Sequence, residues 1–459
     1  MGDHRHVAVI DIGKTNAKVV LVEMATLSEV AVLKTPNLVL QNGPYAHFDI
    51  ETLWSFILDG LAKLQRIQPI DAITVTTHGA CAALLDGAGE LVTPVLDYEY
   101  DAVNELASSY NSVRPNFSET GSPRLPMGLN LGAQIYWLFE TFPALRSKVS
   151  HIVTYPQYWI SRLTGICRNE ATSLGCHTDL WCPVDGNYSS MVEEMGWGSM
   201  MPPLCKAHER IGTILPEVSA ETGLSQQTEV YGGIHDSNAS LYPHLKSRKA
   251  PFSVVSTGTW VVCMAVGGKP VKLDPARDTL INVNGLGDPV MSSRFMGGRE
   301  HEILVGEHAP TYSQAEVDRV LKDQLMLMPS VEPSSGPFPG QNYQWLGEEH
   351  GWTEAEKFIA TSFYLALMTA TCLDLIGADG DIIIEGPFAS NELICVMLAA
   401  SAKRQVVATA GTGTSTGAAM LTTEHHTFVA PKATHGLKDL PDLSAYADTW
   451  VSMVHSLKS

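Results

Sequence analysis

The chain lays down one order of elements twice, three strands, a helix and a further strand, and few folds accommodate such a repeat. In the first hundred or so residues, runs rich in Val, Ile and Leu read as strands at VAVIDIG from Val7, KVVLVE from Lys18 and EVAVLKTP from Glu29. A helix follows with Asp49 as its N-cap and with Leu53, Phe56, Ile57, Leu61 and Leu64 at helical spacing, and AITVTTH from Ala72 is the next strand. In the second half FSVVSTGTW from Phe252 and VVCMAVGG from Val261 read as a hairpin and VMSSRFM from Val290 as a third strand. A long helix comes next, opened by a capping box at Thr353 and Glu356 and apolar through Phe358, Ile359, Phe363, Leu365, Leu367 and Met368. The strand DIIIEG, a helix from about Asn391, the strand QVVATAG and a short helix carrying Gly417, Ala418 and Ala419 complete the half. Two βββαβα halves are expected, alike in pattern but with no fixed period of sequence identity.

At 459 residues the chain exceeds one ordinary core, which suits two lobes, residues 1–245 and 246–459. Residues 101 to 230, with helical patterns at Gln134 to Phe139 and Tyr155 to Leu163, look like insertions on the first lobe. AALLD and LVTPVLD are expected to be joined by a hairpin or tight loop at Gly87, Ala88 and Gly89, and PHLKSRKAP, from Pro243 to Pro251, to form a surface connection between lobes. A formal charge of −19 without a local basic cluster argues against nucleic acid and anionic membrane as partners. An anionic nucleotide would then need a site that supplies its own positive potential. The cysteines at 81, 167, 176, 182, 205, 263, 372 and 395 show no CxxC pair and read as free thiols in a reducing compartment. MGDHRHVAVIDIG lacks a signal-peptide pattern, and no run approaches the roughly 18 apolar residues of a membrane span, so a cytoplasmic enzyme is expected.

Three segments carry residue types suited to phosphoryl transfer. Apolar and small residues from Val230 to Ile234 deliver His235 and Asp236 to a strand end, where a carboxylate can meet a substrate hydroxyl. Farther on, Ser256, Thr257, Gly258 and Thr259 offer hydroxyls and unobstructed backbone N–H groups to a phosphate. Between the first two strands, Gly13 lets a phosphate near the backbone, Thr15 and Asn16 can donate, Lys14 adds charge, and Asp11 can hold a hydrated Mg²⁺. Blander readings exist: a hairpin turn at Gly13 to Asn16, and a helix cap at Asp236 before SNASLYPHL. Other motifs fail. No Walker loop is present, and GTGTSTG from Gly411 lacks GxGxxG spacing and precedes a helix in which Gly417 fits close packing. HEILVGEH spaces its histidines seven apart and not four, so it is no HExxH zinc site, and His425 and His426 are expected to be exposed.

DIGKTNAK, TTHGA, the WL after Gln134, YWISRLTG, GGIHDSNAS, STGTW, EGPFASN and GAAM occur in the order found in FGGY-family sugar kinases, which the chain resembles over nearly its whole length. The resemblance implies an α/β fold of two actin-like, ribonuclease-H-type lobes with a central ATP/sugar cleft, Mg·ATP as donor and a sugar hydroxyl as acceptor. His before the matching Asp, with Trp after the GT loop, looks most like rhamnulokinases and fuculokinases. On that pattern Asp236 matches the catalytic base, orienting the hydroxyl and taking its proton late. His235 matches a sugar contact, and Thr77, His78 and Gly79 match the sugar-side loop, with a backbone-carbonyl bond an equal reading for His78. Gly13, Lys14, Thr15, Asn16 and Lys18 match the first phosphate loop, with Asp11 on the metal through water. Ser256, Thr257, Gly258 and Thr259 match the second phosphate loop, Thr259 facing the β- or γ-phosphate, and Gly386 and Asn391 match the adenosine loop. The chain departs from the pattern at Pro387, usually a second glycine, at Gln134, commonly a surface lysine, and at Asp97, Glu99 and Asp101, where relatives place a sugar-binding Trp and Asp. Glu170 reads as a solvated loop acid.

The expected activity is ATP-dependent phosphorylation of a terminal hydroxyl of a small ketose or deoxyketose. The L-rhamnulose/L-fuculose class is favoured, with a xylulose-type or other ketose or polyol kinase as the alternative. Two other classes remain: a sugar-independent ATPase or chaperone-like protein, which gives no reason for the His–Asp pair, and a non-catalytic sugar-binding or regulatory protein, which Pro387 and Gln134 keep open. ATP and Mg²⁺ are the expected cofactors and a small-molecule sugar the expected partner, with no nucleic acid, no membrane, and a homodimer left open.

Overall fold

A computed structural model describes residues 4–306, 308–347, 351–409, 413–424, 433–435 and 441–456. Two compact units divide the chain: Met1–Ser247 with Ile281–Pro289 and Thr412–Phe428, and Arg248–Leu280 with Val290–Gly411 and Val429–Ser459. His425, His426 and Gly411 lie outside the described residues.

In the first unit the sheet runs in the order Arg210–Thr213, Glu229–Tyr231, Ala72–Thr77, His6–Ile12, Asn16–Glu23, Ser28–Pro36, and Ile234–His235 also pairs with Ala72–Thr77. His6–Ile12 and Ala72–Thr77 are buried at every residue, as expected of parallel central strands covered on both faces. Ser28–Pro36 is exposed or half-buried throughout, the mark of an edge. The helix Ile50–Ile67 begins where Asp49 accepts the Thr52 N–H at 3.1 Å. Its stripe of Leu53, Ile57, Leu61 and Leu64 joins Ile10, Val19 and Leu21 in one core. Burying each such side chain contributes about 1.5–3 kcal/mol.

The second unit repeats the plan. Pro289–Phe295, Val261–Val266 and Phe252–Thr257 run antiparallel in sequence, and Asp381–Glu385 and Val406–Ala408 then add in parallel. The helix Glu354–Leu375 opens with both halves of the Thr353/Glu356 capping box formed. Each unit thus has the mixed α/β organisation of an actin-like, ribonuclease-H-type domain.

Several expectations are corrected. Ala82–Leu85 pairs with His151–Thr154 and meets Leu91 through an isolated bridge, so of the two readings the Gly87–Gly89 connection is the tight loop, closed by the Asp86 N–H on Glu90 O at 2.9 Å, and not a full hairpin. A strand at Thr279–Val283, helices at Gly297–Val305 and Gln314–Asp323, and a ribbon of Met326–Met328 with Gln344–Leu346 stand where no element was read. The helix Glu354–Leu375 has the length and mean hydropathy, 1.5, of a membrane span, although none was expected; 83% of that window is buried in the protein, so it serves as a core helix.

Pro243 does not start a surface connection but lies inside the helix Asp236–Ser247. Proline has no N–H, so the carbonyl of Ala239, four residues back, loses its helical partner. The helix Gly413–Ala419 comes against this gap at Gly417, where a Cβ would stand 1.8 Å from the Ala239 oxygen. Only a glycine lets the two backbones approach so closely. Gly417→Ala is therefore expected to cost about 1–3 kcal/mol and to lower the thermal midpoint by several degrees. Gly198→Ala, where an added Cβ meets nothing within 4 Å, should leave it nearly unchanged in the same differential scanning measurement.

Candidate active site

Parallel pairing in register builds the site in the first unit. Ile12 lies opposite Thr77 on one side of Ala72–Thr77, and His235 lies opposite the same Thr77 on the other. Parallel strands that end level deliver their loops to one edge of the sheet. Gly13–Lys18, His78–Gly79 and Asp236 therefore come together, although 223 residues separate Gly13 from Asp236. The His78 N–H donates to Ile12 O at 2.9 Å, and the Thr77 hydroxyl, wholly buried, donates to His78 O at 2.8 Å.

His78 is 6% exposed, and its Nδ1 lies 2.9 Å from Gly79 O. A carbonyl only accepts, so Nδ1 carries the proton and Nε2 is left as a bare acceptor, buried and without a partner. Burial lowers the affinity of this ring for a second proton, to a pKa of about 4, so it is neutral at physiological pH. The backbone-carbonyl reading of His78 holds at Nδ1, while Nε2 remains open.

His235 is equally buried, with Nε2 3.3 Å from Asp236 Oδ1 and Nδ1 unpartnered. Burial works against its charge, but Cys176 and Asp236 outweigh burial and raise it to about 9. Cys176 is driven the opposite way, below the usual thiol range, because His177 and His235 overcome its burial. The half-exposed Asp236 carboxylate accepts the Ser237 N–H through Oδ1 at 2.6 Å. It starts the helix Asp236–Ser247, and this leading position does not exclude a reactive role.

Glu170 is not a solvated loop acid. It is 3% exposed and accepts both the Thr172 N–H, at 2.9 Å, and the Thr172 hydroxyl, and burial raises it to about 7. The Thr172 hydroxyl in turn accepts the His235 N–H at 3.0 Å, fixing the backbone just before Asp236. Gln134 is also buried, and its amide donates to Ala80 O and Gly128 O at 2.5 Å, so it braces the loop after His78 and makes no surface contact. Asp101 is exposed and bound to Asn104, whereas Asp97 is 5% exposed and paired with Lys14.

Asp11 Oδ2 accepts the Thr414 hydroxyl at 2.6 Å and lies 3.6 Å from Lys18 Nζ. Burial raises its pKa, and the nearby Asp236 adds to the rise. A buried carboxylate beside an open loop, supplying hard oxygen ligands alone, fits a Mg²⁺ that keeps most of its waters. Gly13 donates its N–H to Asn16 O at 2.9 Å, so the loop is also a tight hairpin turn; Thr15 is exposed and accepts from the Asn16 amide. Thr414 was missed in the sequence because GTGTSTG was read for phosphate-loop spacing and not for a hydroxyl partner of Asp11.

In the second unit Ser256 lies opposite Glu385 in parallel strands, so the loops after both share an edge. The Thr257 hydroxyl donates to Glu385 O at 2.5 Å and accepts the Phe388 N–H at 3.2 Å, so it holds the neighbouring loop. Gly258 and Thr259 are exposed, and Thr259 O accepts the Gly298 and Arg299 N–H groups. Gly386 has φ 83°, and a Cβ there would stand 2.0 Å from Thr257 O, so the position requires glycine. Asn391 caps the helix Glu392–Ala402 through the Ile394 N–H and donates to Ser362. Beside this loop a pocket of about 650 Å³ is lined by His301, Tyr312, Phe358, Pro387, Phe388 and Asn391 among others. Its size and aromatic walls suit a nucleoside base.

Residues 6–242 match the N-terminal domain of the FGGY family of carbohydrate kinases, and residues 249–431 match the FGGY carbohydrate kinase C-terminal domain. The chain belongs to the FGGY family. A crystal structure of a carbohydrate kinase from Novosphingobium aromaticivorans is similar with a TM-score of 0.92 and 33% identity, covering 99% of this chain and 100% of that one. L-fuculokinase of Salmonella typhi is 22% identical over 272 residues, 57% of each chain. L-fuculokinase of Escherichia coli K12 is 24% identical over 272 residues, 56% of each. The matched region thus spans little more than half the length of these fuculokinases.

The raised His235 has a consequence for an FGGY protein with this pair. Its folded pKa, about 9, lies above the ordinary histidine value, so the ring should keep its second proton at pH 7.5 and release it only as pH rises through about 9. An NMR titration of the His235 ring should show that midpoint, and a midpoint near the ordinary value of about 6.5 would remove Cys176 and Asp236 as its charge partners.

Proposed function

We propose that this FGGY-family protein transfers the γ-phosphoryl group of ATP to a terminal hydroxyl of a small ketose or deoxyketose. Within that range the L-rhamnulose/L-fuculose class is favoured over xylulose-type acceptors, on the adjacent His235 and Asp236 and on the similarity to L-fuculokinases. The observation that carries the reading is a half-exposed carboxylate, Asp236, beside two histidines that each keep one buried ring nitrogen without a partner among the described residues. Burying an unsatisfied polar atom is costly, so these nitrogens are best explained by a hydroxyl-rich ligand.

In this reading residues 1–245 supply the acceptor side and the base, and residues 246–459 the nucleotide side. His78 Nε2 accepts one acceptor hydroxyl, and His235 contacts the sugar next to Asp236. Asp236 Oδ1 is engaged by Ser237 and His235, which leaves Oδ2 to accept the reacting hydroxyl. As the new O–P bond forms and the bond to the ADP leaving group breaks, the hydroxyl proton passes to Asp236. The carboxylate acts first by position, since its proton affinity is far below that of an alkoxide. The loop backbone of Gly13–Lys18 in the first unit and that of Ser256–Thr259 in the second each suit phosphate oxygens, and Gly386 and Asn391 border the adenosine. Mg²⁺, when bound through water at Asp11, supplies charge neutralisation for the phosphates. The free thiols fit a reducing, cytoplasmic setting.

Asp236→Asn should reduce kcat by at least about 100-fold while Mg·ATP binding stays within about twofold. A coupled ADP-release assay over L-rhamnulose, L-fuculose and xylulose, with calorimetry for the nucleotide, measures both. Full turnover in Asp236→Asn would remove the base assignment. Sugar binding with no ADP release by the unaltered protein would point to a non-catalytic binder, and ADP release independent of sugar to an ATPase.

A further inference from the structure

Lys14 follows Gly13 in the first phosphate loop, yet its ammonium is drawn toward a different set of groups. It pairs with Asp97 and with Glu99 Oε2 at 3.2 Å, and it stands 4.7 Å from the ring centroid of Tyr98 and 5.1 Å from that of Phe48. The same two rings flank His78, at 5.6 and 5.3 Å between centroids. Lys14, Phe48, Tyr98 and His78 therefore form one cluster, and its unpartnered buried atom is His78 Nε2. Lys18 differs, since its ammonium is directed to Asp11.

We propose that Lys14, held by Asp97 and Glu99, is a specificity-determining residue of the acceptor site, selecting a neutral polyhydroxy substrate and rejecting a sugar acid. The inference rests on the kinase reading above. An ammonium has three N–H donors; Asp97 and Glu99 engage two, and the third can donate to a substrate hydroxyl or ketone oxygen. The carboxylate oxygens beside it can accept hydroxyl protons, so donor and acceptor stand side by side for a diol. The faces of Tyr98 and Phe48 suit the C–H side of a sugar. The Lys14 ammonium faces two acids, Asp97 and Glu99, so this cluster carries a net negative charge. A substrate carboxylate brought among them would be repelled and would find Lys14 already paired. Removing the two acids that hold Lys14 would leave an uncompensated cation and invert this preference.

The test uses the full-length protein and calorimetric binding of L-fuculose, D-xylulose, D-gluconate and Mg·ADP. The unaltered protein should bind at least one ketose more tightly than D-gluconate. Lys14→Met should weaken that ketose about tenfold or more with Mg·ADP affinity within about twofold, as expected from loss of a charged hydrogen bond on the acceptor side alone. Asp97→Asn combined with Glu99→Gln should raise D-gluconate affinity relative to the ketose. Lys14→Arg, which keeps the charge, should still disfavour D-gluconate, and thermal midpoints confirm that each variant is folded. The proposal is overturned if Lys14→Met weakens Mg·ADP and spares the sugar, if the unaltered protein prefers D-gluconate, or if it binds neither ketose. Failure of the kinase reading is distinguishable: the binding pattern would stand while ADP release with sugar was absent.

Discussion

The level ending of three parallel strands at Thr77 is the constraint on which the site depends. Ile12 and His235 both lie opposite this residue, so the loop after one strand and the carboxylate after another meet the His78 turn at a common edge. A slip of one residue in either pairing would turn its side chains to the opposite face of the sheet. The wholly buried Thr77 side chain, bonded to His78 O, is poorly placed to contact a ligand but well placed to hold the turn. The second unit uses the same device, with Ser256 level with Glu385 and Thr257 bridging to the Gly386 loop. In both units the loops that suit ligands are anchored by hydrogen bonds made just behind them.

What the sequence discloses well is whatever local periodicity and capping determine. Continuous apolar runs such as VAVIDIG become strands buried on both faces, and Asp49, Thr353 and Asn391 cap the helices they precede. Features set by distant partners are not legible in this way. Ala82–Leu85 pairs with His151–Thr154 instead of its sequence neighbour, and Pro243 stands inside a helix against which a glycine from far along the chain packs at Ala239. Glu170 looks like a loop acid until Thr172 and the surrounding core enclose it. Thr414 contributes its hydroxyl to a carboxylate 403 residues away, a pairing that local motif spacing does not encode.

The same distinction explains why the key positions of an FGGY protein could be named before their roles could be divided. Motif order brings Asp11, His78, Asp236, Thr257 and Gly386 to attention together. Only geometry shows that Thr257 spends its hydroxyl on a neighbouring loop, that Gly386 is needed for backbone clearance, and that Asn391 caps a helix. A residue can match a ligand-binding motif because it shapes the loop that binds. The open nitrogens of His78 and His235 are of the other kind, since none of the described residues satisfies them.

Charge sharpens the division between the two lysines of the first loop. A chain of formal charge −19 presents an unfavourable field to a nucleotide, so every nearby cation matters. Lys14 is held between two carboxylates and over two rings, whereas the Lys18 side chain, 40% exposed, places its ammonium 3.6 Å from Asp11 on a flexible stem. Freeing Lys14 would separate it from both acids, while Lys18 can turn to a phosphate by giving up one long contact. The loop thus commits one lysine to neighbouring side chains and leaves the other to follow a charged ligand, and this asymmetry follows from what each ammonium must give up to move.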